Sequence, residues 1–418
     1  MKVNVALACA WACLQATGWA QSSVTEPDGQ AWRRANAAVG QHQRGHADIL
    51  AQEAAQAQVA AAGQRAGAAG PVLSLRQATT MALRQRPDLW LGPALNTLET
   101  ARINAQVAQL SHQVSRAWVE AVAANQSAAY LQDALEAAEA GTELAQRMAA
   151  VGNWSQMQRV QTQLLQSDAA TALAVARQQA LGTRERLVRL LGLWGEAAKF
   201  GLPTRLPDLP ASPMAAQGLE EAALRQHLPT ALAQVHADRQ RAAVSAKSLA
   251  DWQALAAGIT PTWRESAQDD TAALATLLTQ APVLDTRQNA LRHALEDAIP
   301  ALVEADTLTS STRSRAREAY GRYRSAYDLA RHQRDDVVVW RTTLQEETQA
   351  RYNGMLLSTW DLLASAGARI RSVNAALLAQ RDFWLAHTDL QGVLAGLDLD
   401  FSAEAAGPAQ GASAQPAH

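Results

Sequence analysis

Between Asn96 and Ala150 the chain contains no proline and a single glycine, Gly141, and Ile103, Val107, Leu110, Val114, Trp118 and Val122 recur there at steps of three and four. This is the spacing of a coiled-coil seam, an apolar stripe along one side of a continuous helix. At ~1.5 Å per residue the helix is ~80 Å long. A helix of that length overruns any compact core, so its stripe must be covered by another helix of comparable length. The sequence supplies one. The chain turns at Val151-Gly152-Asn153-Trp154-Ser155, where Gly152 or Asn153 can take the positive φ that ends a helix and Ser155 can cap the next. The predicted return helix carries Val160, Leu164, Leu173, Leu187 and Leu191 and closes with RLVRLLGL before a Pro-rich linker, residues 201–213.

The second half repeats this plan. LRQHLPTALAQ, from Leu224, answers LRQRPDL, from Leu83. A Pro-free stretch from Thr307 to Tyr352 answers the first long helix. Its tip is Asn353-Gly354-Met355-Leu356-Leu357-Ser358, and the returning helix, Thr359 to Leu394, leads into GVLAGL. Gly152 and Gly354 are 202 positions apart, and Gly192 and Gly396 are 204 apart. An internal duplication with one small insertion explains both spacings, and so long a period excludes a short-repeat solenoid. The organisation expected is residues 73–200 as a first hairpin repeat, 201–213 as linker, 214–400 as a second repeat and 401–418 as a disordered tail.

Composition supports an all-α fold of close-packed helices. The 418 residues are 48% hydrophobic but only 5% aromatic, so alanine does much of the apolar work. With 37 basic and 39 acidic residues the formal net charge is −2, which draws the protein neither to nucleic acid nor to an anionic bilayer. Residues 1–20 have the form of an export signal: Lys2, an apolar run to about Leu14, and Gly18-Trp19-Ala20 as a cleavage site. Both cysteines, Cys9 and Cys13, fall inside it, so the mature chain would have neither disulfide nor thiolate metal site. A lipoprotein would be modified at Cys13, although Ala10 stands where such signals favour Leu. Residues 21–72 form a polar leader and linker. No later segment supplies the ~20 uninterrupted apolar residues of a membrane-spanning helix.

The order of pieces resembles the TolC family of outer-membrane efflux proteins: a short helix ending in RPDL, a long helix, a tight turn, a return helix ending in RLLGL, a Leu-Pro linker, then the set again. The similarity extends over roughly Leu73 to Leu397. It implies a homotrimer whose hairpins form a hollow periplasmic tube, continued through the outer membrane by a β-barrel to which each subunit adds four strands. It also implies tips that meet a membrane-fusion adaptor, itself tied to an inner-membrane pump. Gly152, Asn153, Trp154 and Ser155 would form one docking tip, and Gly354, Met355, Leu356, Leu357 and Ser358 the other. The function implied is an exit duct in the outer membrane or periplasm of a Gram-negative bacterium. The alternative is a periplasmic coiled-coil scaffold or adaptor-like protein that does not conduct.

The barrel is where the sequence departs from that pattern. A membrane-spanning strand pair needs two strands of ~9–11 alternating residues and a turn. Ser115 lies only 26 positions after Leu89, and the polar positions between them keep helical spacing. In the second half, the segment around Trp263, Asp269 and Asp270 shows little alternation. The barrel hairpins are therefore expected to be reduced or absent.

Other signals carry less. The tip glycines serve equally as the turn any antiparallel helix pair needs. Asp361 could ring a pore mouth in a trimer, or be a solvated first-turn acid stabilised by the helix dipole. His42 and His46 are four apart but lack a third metal ligand. Arg313, Arg315, Arg317, Arg322 and Arg324, interleaved with Tyr320, Tyr323 and Tyr327, spread over several helix faces and are expected on the tube surface. The sequence contains no nucleophile elbow, phosphate loop or zinc signature, so no catalysis, cofactor or metal is expected.

Overall fold

The computed structural model describes residues 72–90, 96–152, 154–259, 295–296 and 298–401. The expected signal peptide, leader, His42 and His46, the second barrel segment around Trp263 and the tail beyond 401 lie outside these residues. The described chain is almost entirely helical: α1 (Leu75–Arg84), α2 (Thr97–Ala150), α3 (Gln156–Leu191), α4 (Leu219–Gln226), α5 (Leu228–Ala243), α6 (Ala246–Ile259), α7 (Ala298–His332), α8 (Val338–Asn353) and α9 (Thr359–Leu394). Among the described residues there is no strand, only an isolated parallel bridge between Val72 and Gly201.

Half of the seam expected of the first long helix is buried, while Ile103, Val107 and Leu110 are half-buried. Val114, Trp118 and Val122 of α2 are buried against Leu187, Val188 and Leu191 of α3 and Ala78 and Ala82 of α1. Fully burying side chains of this size contributes roughly 1.5–3 kcal/mol each. Towards the tip the contact thins to Ala134, Gly141, Thr142 and Ala145 facing Thr162, Leu173 and Ala176, small residues that let the backbones approach closely. The return stripe is only partly as expected: Leu173, Leu187 and Leu191 are buried, whereas Val160 and Leu164 are exposed. Those two share a helix with the seam, and their exposure shows that burial depends on a covering neighbour as well as on a stripe.

The second long helix differs from its expectation twice. It begins at Ala298 rather than Thr307, with Pro300 accommodated in the first turn, where no amide donor is required. It is then interrupted by a π turn at Gln333–Val337 before α8. The extra residue shifts the register of the following face, and Val339, Trp340 and Leu344 beyond it are exposed.

The Leu-Pro linker is pinned across both halves by side-chain donors. Proline-rich backbone offers carbonyls with few amides, and buried carbonyls need partners. Gln380 Nε2 and Trp384 Nε1 donate to the Pro207 carbonyl at 2.6 and 2.9 Å. Tyr327 Oη donates to the carbonyls of Pro210 and Ala211, each at 3.1 Å. Tyr320 Oη donates to the Met214 carbonyl, and the Met214 amide donates to Tyr323 Oη. The tyrosines of the Arg-rich run are thus not tube surface: Tyr323 and Tyr327 are buried beside Phe383. The interleaved arginines pair with acids, Arg313 and Arg317 with Glu220, Arg315 with Asp398, and Arg324 with Asp328.

One buried ionic cluster ties α2 to α9. Asp389 accepts from His112 Nε2 at 2.8 Å on one oxygen and from Arg116 on the other. Burial opposes ionisation of this carboxyl, but the bonds from His112 and Arg116 and the arginine's charge outweigh it and hold its pKa below the usual value. A lowered folded pKa contributes stability that is present above the unfolded value of about 3.9 and lost as pH falls through the folded one. Asp389→Asn should therefore lower stability near neutral pH by about 3 kcal/mol and flatten the loss of stability below about pH 4. Thermal melts of both proteins across that range measure it.

Candidate docking tips

Both hairpin tips are built from the same two devices, a left-handed residue that ends one helix and a serine box that starts the next. At the first tip the helix ends at Val151, Gly152 has φ 80°, and its amide donates to the Ala149 carbonyl at 3.1 Å. Ser155 then caps α3: its Oγ accepts from the Gln158 amide at 3.3 Å, and its own amide donates to Gln158 Oε1 at 3.0 Å. Asn153 lies outside the described residues. Trp154 is half-buried rather than exposed.

The second tip departs from what its glycine suggests. Gly354 has φ −81°, within reach of any residue, and the left-handed position falls on Met355 at φ 59°. The Met355 amide donates to the Tyr352 carbonyl and the Leu356 amide to the Arg351 carbonyl, each at 2.9 Å. That is the Schellman pair, with methionine where glycine is usual. Ser358 caps α9 through a box with Asp361, whose Oδ2 accepts from the Ser358 amide at 3.0 Å and from its Oγ at 2.7 Å. These bonds hold the Asp361 carboxyl below its ordinary pKa. Asp361 is thus a first-turn capping acid.

The tips lie side by side. Thr359 at the start of α9 contacts Met148 Sδ at 4.0 Å. A Cβ at Gly141 of α2 would come within 3.2 Å of Leu363 Cδ2 of α9. On this end Met355 is 94% exposed and Leu356 76% exposed, while Leu357 is half-buried. Val151 and Met157, not singled out from the sequence, are 71% and 67% exposed beside the first tip. The available signal was an apolar residue in the first or last turn of a capped helix, where no neighbour in the same hairpin can reach it. Among the described residues no cluster of three metal-ligating side chains exists, and none of the helices is long and apolar enough to cross a membrane.

No protein-family profile matches the sequence, and no curated protein matches it either. The fold does have counterparts among solved structures. A membrane protein from Pseudomonas aeruginosa matches with TM-score 0.52 at 16% identity, over 77% of this chain and 71% of that one. The outer-membrane channel OprN matches with TM-score 0.50 at 14% identity, over the same shares of the two chains. The CmeC outer membrane channel of Campylobacter jejuni matches with TM-score 0.50 at 13% identity, over 72% of this chain and 65% of that one. At such identities the likeness shows the fold alone, and that fold is the TolC type which the order of sequence pieces implied.

The two glycines should respond differently to a methyl group. Gly152→Ala forces a left-handed alanine and should destabilise its hairpin by about 1 kcal/mol. Gly354→Ala should be close to neutral, because the added Cβ would meet nothing nearer than 3.5 Å. Met355→Gly should stabilise the second tip by about as much as Gly152→Ala costs the first. Chemical denaturation of the three variants distinguishes these outcomes.

Proposed function

We propose that this protein is the exit duct of a tripartite efflux or secretion pump, a homotrimeric helical tube in the periplasm and outer membrane whose tips dock a membrane-fusion adaptor. The observation that carries the proposal is the pair of capped hairpins ending together in an exposed apolar cluster, Val151, Met157, Met355 and Leu356. The most exposed of them, Met355 at 94%, sits on a turn fixed by backbone hydrogen bonds, and an apolar side chain held out in solvent at a defined place suits a contact surface. A wide duct selects little by itself, so the choice of cargo belongs to the pump. In a trimer Asp361, besides capping α9 with Ser358, would ring the mouth. The OprN and CmeC structures are those of outer-membrane channels, which supports the assignment of class.

A second reading, a periplasmic scaffold that does not conduct, is favoured by one specific observation. The 3-10 turn Pro87–Leu89 and the start of α2 at Thr97 leave seven residues, 90–96, between them. Two membrane-spanning strands of ~9–11 residues do not fit there. The first half therefore lacks the strand pair that the family resemblance implies. Planar-bilayer recording with the purified full-length protein separates the two readings: discrete conductance steps support a duct, and a quiet bilayer supports the scaffold.

For docking, Leu356→Asp should reduce cross-linking from the tip to a cognate adaptor by about tenfold or more, since it places a charge in an apolar contact. Helical content should be unchanged. Cross-linking at the original level would remove the docking assignment.

A further inference from the structure

The junction between α4 and α5 is closed by an unusual cap. His227, only 2% exposed, ends α4 and starts α5. Pro229 in the first turn has no amide to donate, so the first free helix amide beyond it is that of Thr230, and it donates to His227 Nδ1 at 3.3 Å. The same nitrogen lies 2.7 Å from Thr230 Oγ1 and 3.3 Å from Thr312 Oγ1 of α7. Thr312 in turn donates to the Leu308 carbonyl. Nδ1 accepts the helix amide, so it carries no proton, and the neutral ring must bear its hydrogen on Nε2. Nε2 is buried with no hydrogen-bond partner.

The imidazole cannot take a second proton and remain this cap. A proton on Nδ1 removes the lone pair that holds Thr230, and it places a cation on a buried ring. Serine, threonine, asparagine and aspartate, the usual residues here, remain acceptors throughout the weakly acidic range.

The rest of the junction makes this cap decisive for α5. The helix lies on α7 through alanines, Ala233 and Ala237 against Ala301 and Ala305, with Leu302 and Leu308 at the margin. Alanine methyls bury little apolar area, so the helix depends more than its neighbours on its first turn. The charges acting on the ring are few. Asp398, after α9, favours protonation, while Arg315 of α7 opposes it and pairs with Asp398 at 2.6 Å. Arg225 of α4 lines a surface groove beside His227. Burial is the main cause that lowers the pKa of His227, ahead of the opposed charges of Asp398 and Arg315. The backbone at Gln226 is also fixed from the other side: a Cβ at Gly396 would fall 2.1 Å from the Gln226 carbonyl oxygen.

We propose that His227 is an acid-released latch: protonation of its imidazole withdraws the cap from α5 and loosens that helix from α7, while the two long hairpins stay intact. This is independent of the duct and scaffold readings. A histidine whose folded pKa lies below its unfolded value contributes stability that is complete above about pH 6.5 and is lost as pH falls through that value. In the opened junction the ring titrates at about 6.5, so one unit of acidification below that value multiplies opening by about tenfold.

The test is hydrogen exchange of the full-length protein at about pH 7.5 and about pH 5.5, with rates corrected for intrinsic exchange. Protection of residues 230–243 should fall by up to about tenfold in the acid sample, while residues 114–122 and 180–191 keep theirs. His227→Asn caps without titrating and should hold the change in 230–243 below about twofold. His227→Asp, whose cap titrates near 4, should do the same and guards against a folding defect in the first variant. An equal acid loss in both variants, or none in the wild type, overturns the latch. Nitrogen-15 histidine spectra give a further outcome: the signal absent from both variants must report hydrogen on Nε2 at neutral pH, and hydrogen on Nδ1 overturns the assignment.

Discussion

A 54-residue helix with one apolar stripe cannot persist alone in water, because each turn leaves its Val, Ile or Trp exposed and the backbone order still has to be offset. Everything else in this molecule follows from how that stripe is covered. The return helix is shorter, 36 residues, so it covers roughly the two thirds of α2 nearest the tip, from Val114 onward. α1 closes the middle of the stripe, and Trp118 fixes it there by donating from Nε1 to the Leu73 carbonyl. Near the tips the seam narrows to alanine, glycine and threonine. Small side chains bring helices close, and that closeness sets the two hairpin ends beside one another.

The two halves are joined by polar contacts. Apolar seams are tolerant of sliding, since a helix can shift by a turn and meet an equivalent surface. The Asp389 cluster and the tyrosine, tryptophan and glutamine donors on the linker carbonyls are not tolerant, because a shifted partner leaves a buried polar group unsatisfied. The aromatic content is low overall, yet Tyr323, Tyr327, Phe383 and Trp384 gather around one point of the linker. There the protein spends its few large side chains, and register between the hairpins is set.

The tips show how local rules bend where a surface faces outward. Gly152 occupies a left-handed position as its residue type suggests, but at the second tip the chain ends its helix one residue later and places Met355 in that conformation. A methionine there holds a flexible thioether fully out in solvent at a cost in backbone energy. The serine boxes on both return helices, Ser155 with Gln158 and Ser358 with Asp361, keep the turns tight enough to present such residues at a defined place.

Much of the architecture was legible before any coordinates. Proline-free stretches, three-and-four spacing, serine caps and glycine turns are local properties, and they implied the nearly all-helical fold of long antiparallel helices that the structure shows. The reduced barrel of the first half was expected from the helical spacing of polar positions between Leu89 and Ser115, while the start of α2 at Thr97 came only with the structure. Other features depended on neighbours distant in sequence. Nothing local distinguishes Tyr327 as a donor to Pro210 from a tyrosine on a surface, or the buried Leu187 from the exposed Leu164. Nor does the sequence show that His227 is a buried helix cap, because that requires Thr312, 85 positions away, and the alanine contact with α7. Periodicity and turn chemistry are written along the chain, whereas burial and pairing belong to segments brought together only when it folds.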